Sequence, residues 1–140
     1  GFWNYVKLIF KELNYKSRKY TLEYNSEVKE INALLISFAN ATQYGNNFKI
    51  SPNSDLSDGK IDFVIVKNMK IWQVPQFLLK IARGKIQQSE HVEIIQKKEM
   101  KIVSDDKIIH LDGEVKKINK NVIVKCNPKS LKILVPNGEK

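Results

Sequence analysis

Polar and apolar positions change their period several times along the chain, and each change marks an element. Phe2, Val6, Ile9, Phe10 and Leu13 recur at three- and four-residue steps with lysines between them. That spacing predicts an amphipathic helix over residues 2–13. From Lys19 the period falls to two: Tyr20, Leu22 and Tyr24 alternate with Lys19, Thr21 and Glu23, the pattern of a half-buried strand. Asn25-Ser26 reads as a turn, and residues 27–32 have no clear period. The apolar run ALLISFA, residues 33–39, predicts a strand buried on both faces.

Asn40–Asn47 interrupts the pattern with Gly45-Asn46-Asn47, residues that tolerate positive φ. Phe48–Ile50 is a brief extended piece, Pro52 opens an acidic loop, and Gly59 closes it before a strand at Ile61–Val66. Asn68–Lys70 turns into a helix over Val74–Ala82, with Phe77, Leu78 and Ile81 on its apolar face and Gly84 at its C-terminal stop. Strands follow at Val92–Ile95 and Met100–Ile102, and Asp105-Asp106 resembles a hairpin turn. Further strands are expected at Ile108–Leu111, Val122–Val124 and Leu131–Val135. The expected fold is mainly β: an antiparallel sandwich or partly closed barrel, with an N-terminal helix and one internal helix. Residues 1–140 read as one domain, with no linker, repeat or low-complexity tract.

Composition narrows the chemistry. The 140 residues are 42% hydrophobic and 28% charged, which suits a packed core. No apolar run reaches the roughly 18 residues of a membrane span. The apolar start lacks a small-residue cleavage site, so the expected location is cytoplasmic. Cys126 lies in the alternation VIVKC and reads as a small apolar strand residue. His91 and His110 have no recognisable spacing to it, which argues against both a catalytic thiol and zinc. The net charge of +9 invites anionic partners. Yet the basic residues are scattered and nearly all lysine, Arg18 and Arg83 being the only arginines, so no nucleic-acid module is expected. Diffuse solubilising charge and an anionic membrane surface remain, the latter motivated also by Trp3, Trp72 and Phe77.

Two short acidic loops carry candidate chemistry. In SPNSDLSDGK, Asp55 and Asp58 stand three residues apart and could converge on a hard cation, with backbone carbonyls completing the shell. Asp and Ser before Gly are also ordinary turn formers. A calcium EF-hand does not fit, because its closing glutamate would fall on Val64. In HLDGEV, Ile109 and Leu111 point inward on the alternation, which turns Asp112 and Glu114 to one face across Gly113. A glutamate held there could serve as a general base; a solvated strand–turn–strand is the plainer reading.

The motifs are more specific as an ordered set. N-x-x-x-Y-G at Asn40–Gly45, P-N-x-x-L-x-D-G-x-I-D at Pro52–Asp62, a helix ending in Arg83-Gly84, and L-D-G-E at Leu111–Glu114 follow in that order. Together they resemble the C-terminal domain of the diacylglycerol kinase-like lipid kinases, over essentially the whole chain. The resemblance implies phosphoryl transfer from ATP to a lipid hydroxyl with magnesium. By position, Glu114 would accept the hydroxyl proton and Asp112 would orient that region. Asp55, Asp58 and the backbone carbonyl of Lys60 would form a structural magnesium loop. Ser57 stands where relatives often carry a second acidic residue, and Asn46-Asn47 where glycine is common. The family's glycine-rich G-G-D-G-T nucleotide loop and a βαβ pattern are absent from these residues. ATP would therefore be held mainly by a separate N-terminal domain, and the sequence is expected to be the second domain of a longer chain.

Two other readings stay open. One is a non-catalytic basic β-sandwich that binds an anionic membrane or phosphorylated ligands, and the other is a structural homodimerisation domain.

Overall fold

The computed structural model describes residues 17–40, 57–105, 108–111, 114–118 and 121–130. Along them run strands β1 (Arg18–Tyr24), β2 (Glu27–Ala33), β3 (Leu35–Ala39) and β4 (Ile61–Val66). Helix α1 (Val74–Ala82) follows, then β5 (Val92–Lys97), β6 (Glu99–Ser104), β7 (Ile108–Leu111), β8 (Glu114–Lys117) and β9 (Val122–Lys125). All pairings are antiparallel, in three open sheets ordered β2-β1-β6-β9, β3-β4-β5 and β7-β8. The sandwich half of the expectation therefore holds, and none of the described sheets closes into a barrel.

Strand β4 explains the layering. Every residue of IDFVIV is buried, so both its faces are covered. On one face Ile61, Phe63 and Ile65 pack with Tyr20, Leu22 and Ala33 from β1–β2 and with Met100 and Ile102 from β6. This is the seam between the two larger sheets, and Phe38 on β3 meets Phe63 there edge-on at 5.7 Å. On the other face Val66 packs with Val74, Phe77, Leu78 and Ile81 of α1 and with Ile86 just beyond it. The helix covers β4 because its apolar positions recur at steps of three and four, while Pro75 suits its first turn. Its C-terminus closes with Gly84 at φ +65°: the Gly84 amide donates to the Ile81 carbonyl and the Lys85 amide to that of Lys80. That is the paired-bond cap expected of a left-handed glycine.

Several expectations need correcting. The strand buried on both faces is β4 and not residues 33–39. Ala33 ends β2, the chain turns at Leu34, and Leu35–Ala39 forms an outer strand with Leu35 largely exposed. Among the described residues β3 pairs with β4 alone, so its apolar run is covered from one side only. Residues 27–32, without a clear period, form β2 because Asn25 and Ser26 (φ +49° and +63°) make a two-residue turn that sets Tyr24 opposite Glu27. The alternation from Val92 to Ile102 is split at Lys98, and its halves join different sheets. Asp105 does not lead a β6–β7 hairpin, since β6 pairs with β1 and β9. The expected helix over 2–13, the piece at Phe48–Ile50, the Gly45-Asn46-Asn47 turn and the strand at Leu131–Val135 lie outside the described residues. Cys126 packs against the main core and donates its amide to the Lys98 carbonyl, in keeping with a structural role.

An ion pair bridges the layers. Glu93 on β5 accepts a hydrogen bond from Lys29 on β2 and is 3.0 Å from the Lys67 ammonium. The Lys29 hydrogen bond holds the Glu93 carboxyl below the usual carboxylate range, against the opposing pull of partial burial, with Lys67 adding to it. The same bond raises the Lys29 ammonium. The outer face of the four-stranded sheet carries its own cross-strand pairs, Lys101 with Glu23, Lys125 with Glu99 and Lys19 with Glu30.

Two outcomes follow from this packing. Phe63→Ala removes the ring at the seam, and should cost about 3–5 kcal/mol in urea unfolding. Glu93 has its folded pKa depressed, so its contribution is complete above its ordinary value of about 4.3 and is lost as pH falls through the lowered folded value. Glu93→Gln should cost about 0.5–1 kcal/mol at neutral pH, the partial exposure of Lys29 screening the pair. It should also flatten the decline in stability on acidification below about pH 4.3. An unchanged acid limb in Glu93→Gln would contradict this assignment.

Candidate functional site

The first acidic loop enters the described region at Ser57. The Asp58 carboxylate accepts the Lys60 amide at 2.8 Å, a turn in which an aspartate fixes the backbone two residues on. Between them Gly59 is buried at φ +69°, a left-handed conformation that glycine adopts without strain. A methyl group on Gly59 would come within 3.3 Å of the Pro128 Cβ. The glycine thus lets this turn lie against the segment that leaves β9. Asp62, the last residue of the motif, is buried within β4. Asp55 lies outside the described residues.

The second loop is a hairpin. Strands β7 and β8 pair Ile108 with Lys117, Ile109 with Lys116, His110 with Val115 and Leu111 with Glu114. Cross-strand partners share a face. Glu114 therefore stands on the side of Ile109 and Leu111, contrary to the expectation that alternation through HLDGEV turns it, with Asp112, to the face away from them. The cross-strand register and not the simple count decides its side. Its side chain is 76% exposed, with the Lys116 ammonium 3.5 Å away. Leu111 is exposed on the same face as the carboxylate, whereas Ile108 and Val115 are exposed on the other face of the hairpin. Asp112, between the two strands, lies outside the described residues.

Of the five residues expected at the site, the structure thus describes Asp58, Lys60 and Glu114. Asp58 and Lys60 meet directly, whereas Glu114 is on a separate two-stranded sheet. Among the described residues no group of three His, Cys, Asp or Glu side chains is arranged to hold a metal ion. A magnesium ion needs fewer, since one or two carboxylates and retained waters suffice. Asp58 spends one lone pair on the Lys60 amide, and its remaining lone pairs are compatible with that role.

The region between β4 and β5 departs from what sequence reasoning expected of it. Phe77, read above as a candidate membrane contact, is buried against β4. Trp72 is 69% exposed, and Ile71 and Leu79 are exposed with it. The signal was present in the helical spacing: Trp72, Pro75, Leu79 and Arg83 recur at steps of three and four on the face opposite Phe77. No described helix is long and apolar enough to cross a membrane.

Comparison with known proteins adds to this geometry. Residues 3–135 match the family described as the YegS C-terminal NAD kinase beta sandwich-like domain. A structure from Bacillus anthracis str. Sterne, provisionally named a diacylglycerol kinase, superposes with a TM-score of 0.58 at 20% identity, over 87% of this chain and 39% of that one. Another structure from the same organism, named a diacylglycerol kinase, gives a TM-score of 0.56 at 18% identity, over 86% of this chain and 42% of that one. Identities this low speak to the fold alone. The chain spans about two-fifths of the length of these structures. No curated protein matches it.

The turn at Gly59 can be tested by substitution. Gly59→Ala forces a side chain into the left-handed region and against Pro128, and should cost more than about 1 kcal/mol in chemical denaturation. Adding Pro128→Gly should recover the steric share only. Full recovery would mean that the backbone at position 59 is unstrained.

Proposed function

Because the chain belongs to the YegS C-terminal NAD kinase β-sandwich-like family, we propose that it is the lipid-side domain of an ATP- and magnesium-dependent kinase that phosphorylates a lipid hydroxyl such as that of diacylglycerol. The observation that carries the reading is the β7–β8 hairpin, where an exposed carboxylate stands directly opposite the exposed Leu111 on one face. A lipid alcohol needs both features, an acceptor for its proton and an apolar surface for the carbon chain behind it. The shared fold with structures named as diacylglycerol kinases supports the same reading.

Phosphoryl transfer is mostly positioning and charge neutralisation. In this reading the Glu114 carboxylate accepts the proton of the lipid hydroxyl. The freed oxygen forms a bond to the γ-phosphorus of ATP, the bond from that phosphorus to the β–γ bridging oxygen breaks, and ADP leaves. Asp112 orients the hairpin tip. Asp55, Asp58 and the Lys60 carbonyl would hold magnesium, which supplies compensating positive charge to the acidic loop when bound. Within the described residues, the Lys60 amide keeps the Asp58 carboxylate oriented. The nucleotide would be held mainly by a partner domain outside these residues, which would also screen Glu114 from water.

Supplied with a nucleotide-binding half, ATP, magnesium and diacylglycerol, the chain should transfer γ-phosphate to the lipid. Glu114→Gln should lower kcat by about 10²–10⁴-fold with little change in KM, the range for loss of a general base. A normal rate in Glu114→Gln would remove the base assigned here. The absence of any transfer by the unaltered chain would favour a non-catalytic, anion-binding sandwich.

A further inference from the structure

The lead-in to α1 and the outer face of that helix are unlike the rest of the surface. Between Asp62 and Glu90 the chain has no acidic residue, while Lys67, Lys70, Lys80, Arg83 and Lys85 fall in that stretch. Two of these cations are engaged locally, Lys67 by Glu93 and Lys80 by the Gln88 carbonyl at 3.1 Å. Lys70, Arg83 and Lys85 are exposed. Of the carboxylates that bound the stretch, Asp62 is buried, while Glu90 is exposed at its far end, 3.4 Å from the His91 ring.

Among these cations stand the apolar residues that the core does not use. Trp72, Ile71 and Leu79 are exposed, and the Lys70 ammonium lies over the Trp72 ring at 5.1 Å. Helical geometry puts Pro75, Leu79 and Arg83 on the side opposite Val74, Phe77, Leu78 and Ile81. The helix is therefore apolar on two sides. One side is covered by β4, and the other is exposed, with Lys70 over Trp72 at its start and Arg83 at its end. A tryptophan beside lysines, with leucine and isoleucine at the same level, is the residue set that settles at the boundary of headgroups and acyl chains.

We infer that residues 70–85 form a membrane-docking surface, which lays Trp72, Ile71 and Leu79 into an anionic bilayer while Lys70, Arg83 and Lys85 meet its headgroups. A bilayer fits better than a protein partner because residues 63–89 carry five cations and no carboxylate, the exposed Glu90 standing only at their edge. Exposed Trp, Ile and Leu beside such cations also match the headgroup boundary. The inference deepens the lipid-kinase reading by giving the domain a way to reach a substrate that stays in the membrane. Its physics does not depend on Glu114.

The test is vesicle co-sedimentation of the 140-residue chain. Vesicles of phosphatidylglycerol and phosphatidylcholine should bind the chain, and pure phosphatidylcholine should bind it far less. Replacing Lys70, Arg83 and Lys85 together by Gln should weaken binding about a hundredfold, at about 1 kcal/mol for each cation. Trp72→Ala with Leu79→Ala should weaken it about tenfold or more. In a Trp3→Phe background, the emission of Trp72 should shift to the blue on vesicle addition. Lys70, Trp72, Leu79, Arg83 and Lys85 are exposed, so the thermal midpoint should hold in these variants, measured against the Trp3→Phe parent where that is used, and serve as the folding control.

Binding unchanged in both variants, or equal on neutral and anionic vesicles, would overturn the inference. So would variants that lose association with a nucleotide-binding half while still binding vesicles, since that would make the surface a protein interface. A chain that docks normally but transfers no phosphate would count against the kinase reading alone.

Discussion

Burying both faces of β4 is the constraint that arranges the other elements. A single-faced strand would need one partner layer, whereas IDFVIV needs two. Its odd positions draw the β2-β1-β6-β9 sheet onto one side, and Val66 at its end meets the helix on the other. The hydrophobic effect sets the size of the demand, since each fully buried Phe, Val or Ile side chain contributes about 1.5–3 kcal/mol relative to exposure. The helix lies between β4 and β5 in sequence for the same reason: two adjacent antiparallel strands joined by about 25 residues give the connection room to fold back across the sheet.

Most of this was legible in local pattern. The period of two over residues 19–24, the turn at Asn25-Ser26, the strand at Ile61–Val66, the helix over Val74–Ala82 and its Gly84 stop follow from spacing and turn chemistry alone. Expectation and structure part where a strand's surroundings decide. ALLISFA is as apolar as IDFVIV, but one became an outer strand and the other a central one, and composition has no term for the number of neighbours. Similarly, nothing in the residues around Lys98 announces that the chain passes there from one sheet to another.

The site was legible in a different way. Its two loops are individually unremarkable turns, and only their order along the chain pointed to a lipid kinase. The face of Glu114 could not be read from a simple count through HLDGEV, because the cross-strand register that sets it opposite Leu111 restarts the alternation on the second strand. The bare face of α1 was harder to see: Trp72 and Phe77 look alike in a sequence, and only the burial of one assigns the other to the surface.

The β7–β8 ribbon has a kinetic consequence. Among the described residues β7 and β8 pair only with each other, and a two-stranded hairpin of this kind opens at a much lower free energy than a central strand does. Backbone amides along Ile108–Leu111 should then exchange with solvent by brief local excursions, while those of β4 wait for the sandwich to separate. A carboxylate mounted on such a ribbon is fixed afresh each time a ligand settles over it. The entropy of ordering it is then subtracted from affinity, and the folded body keeps its full stability whether the ribbon is in place or not.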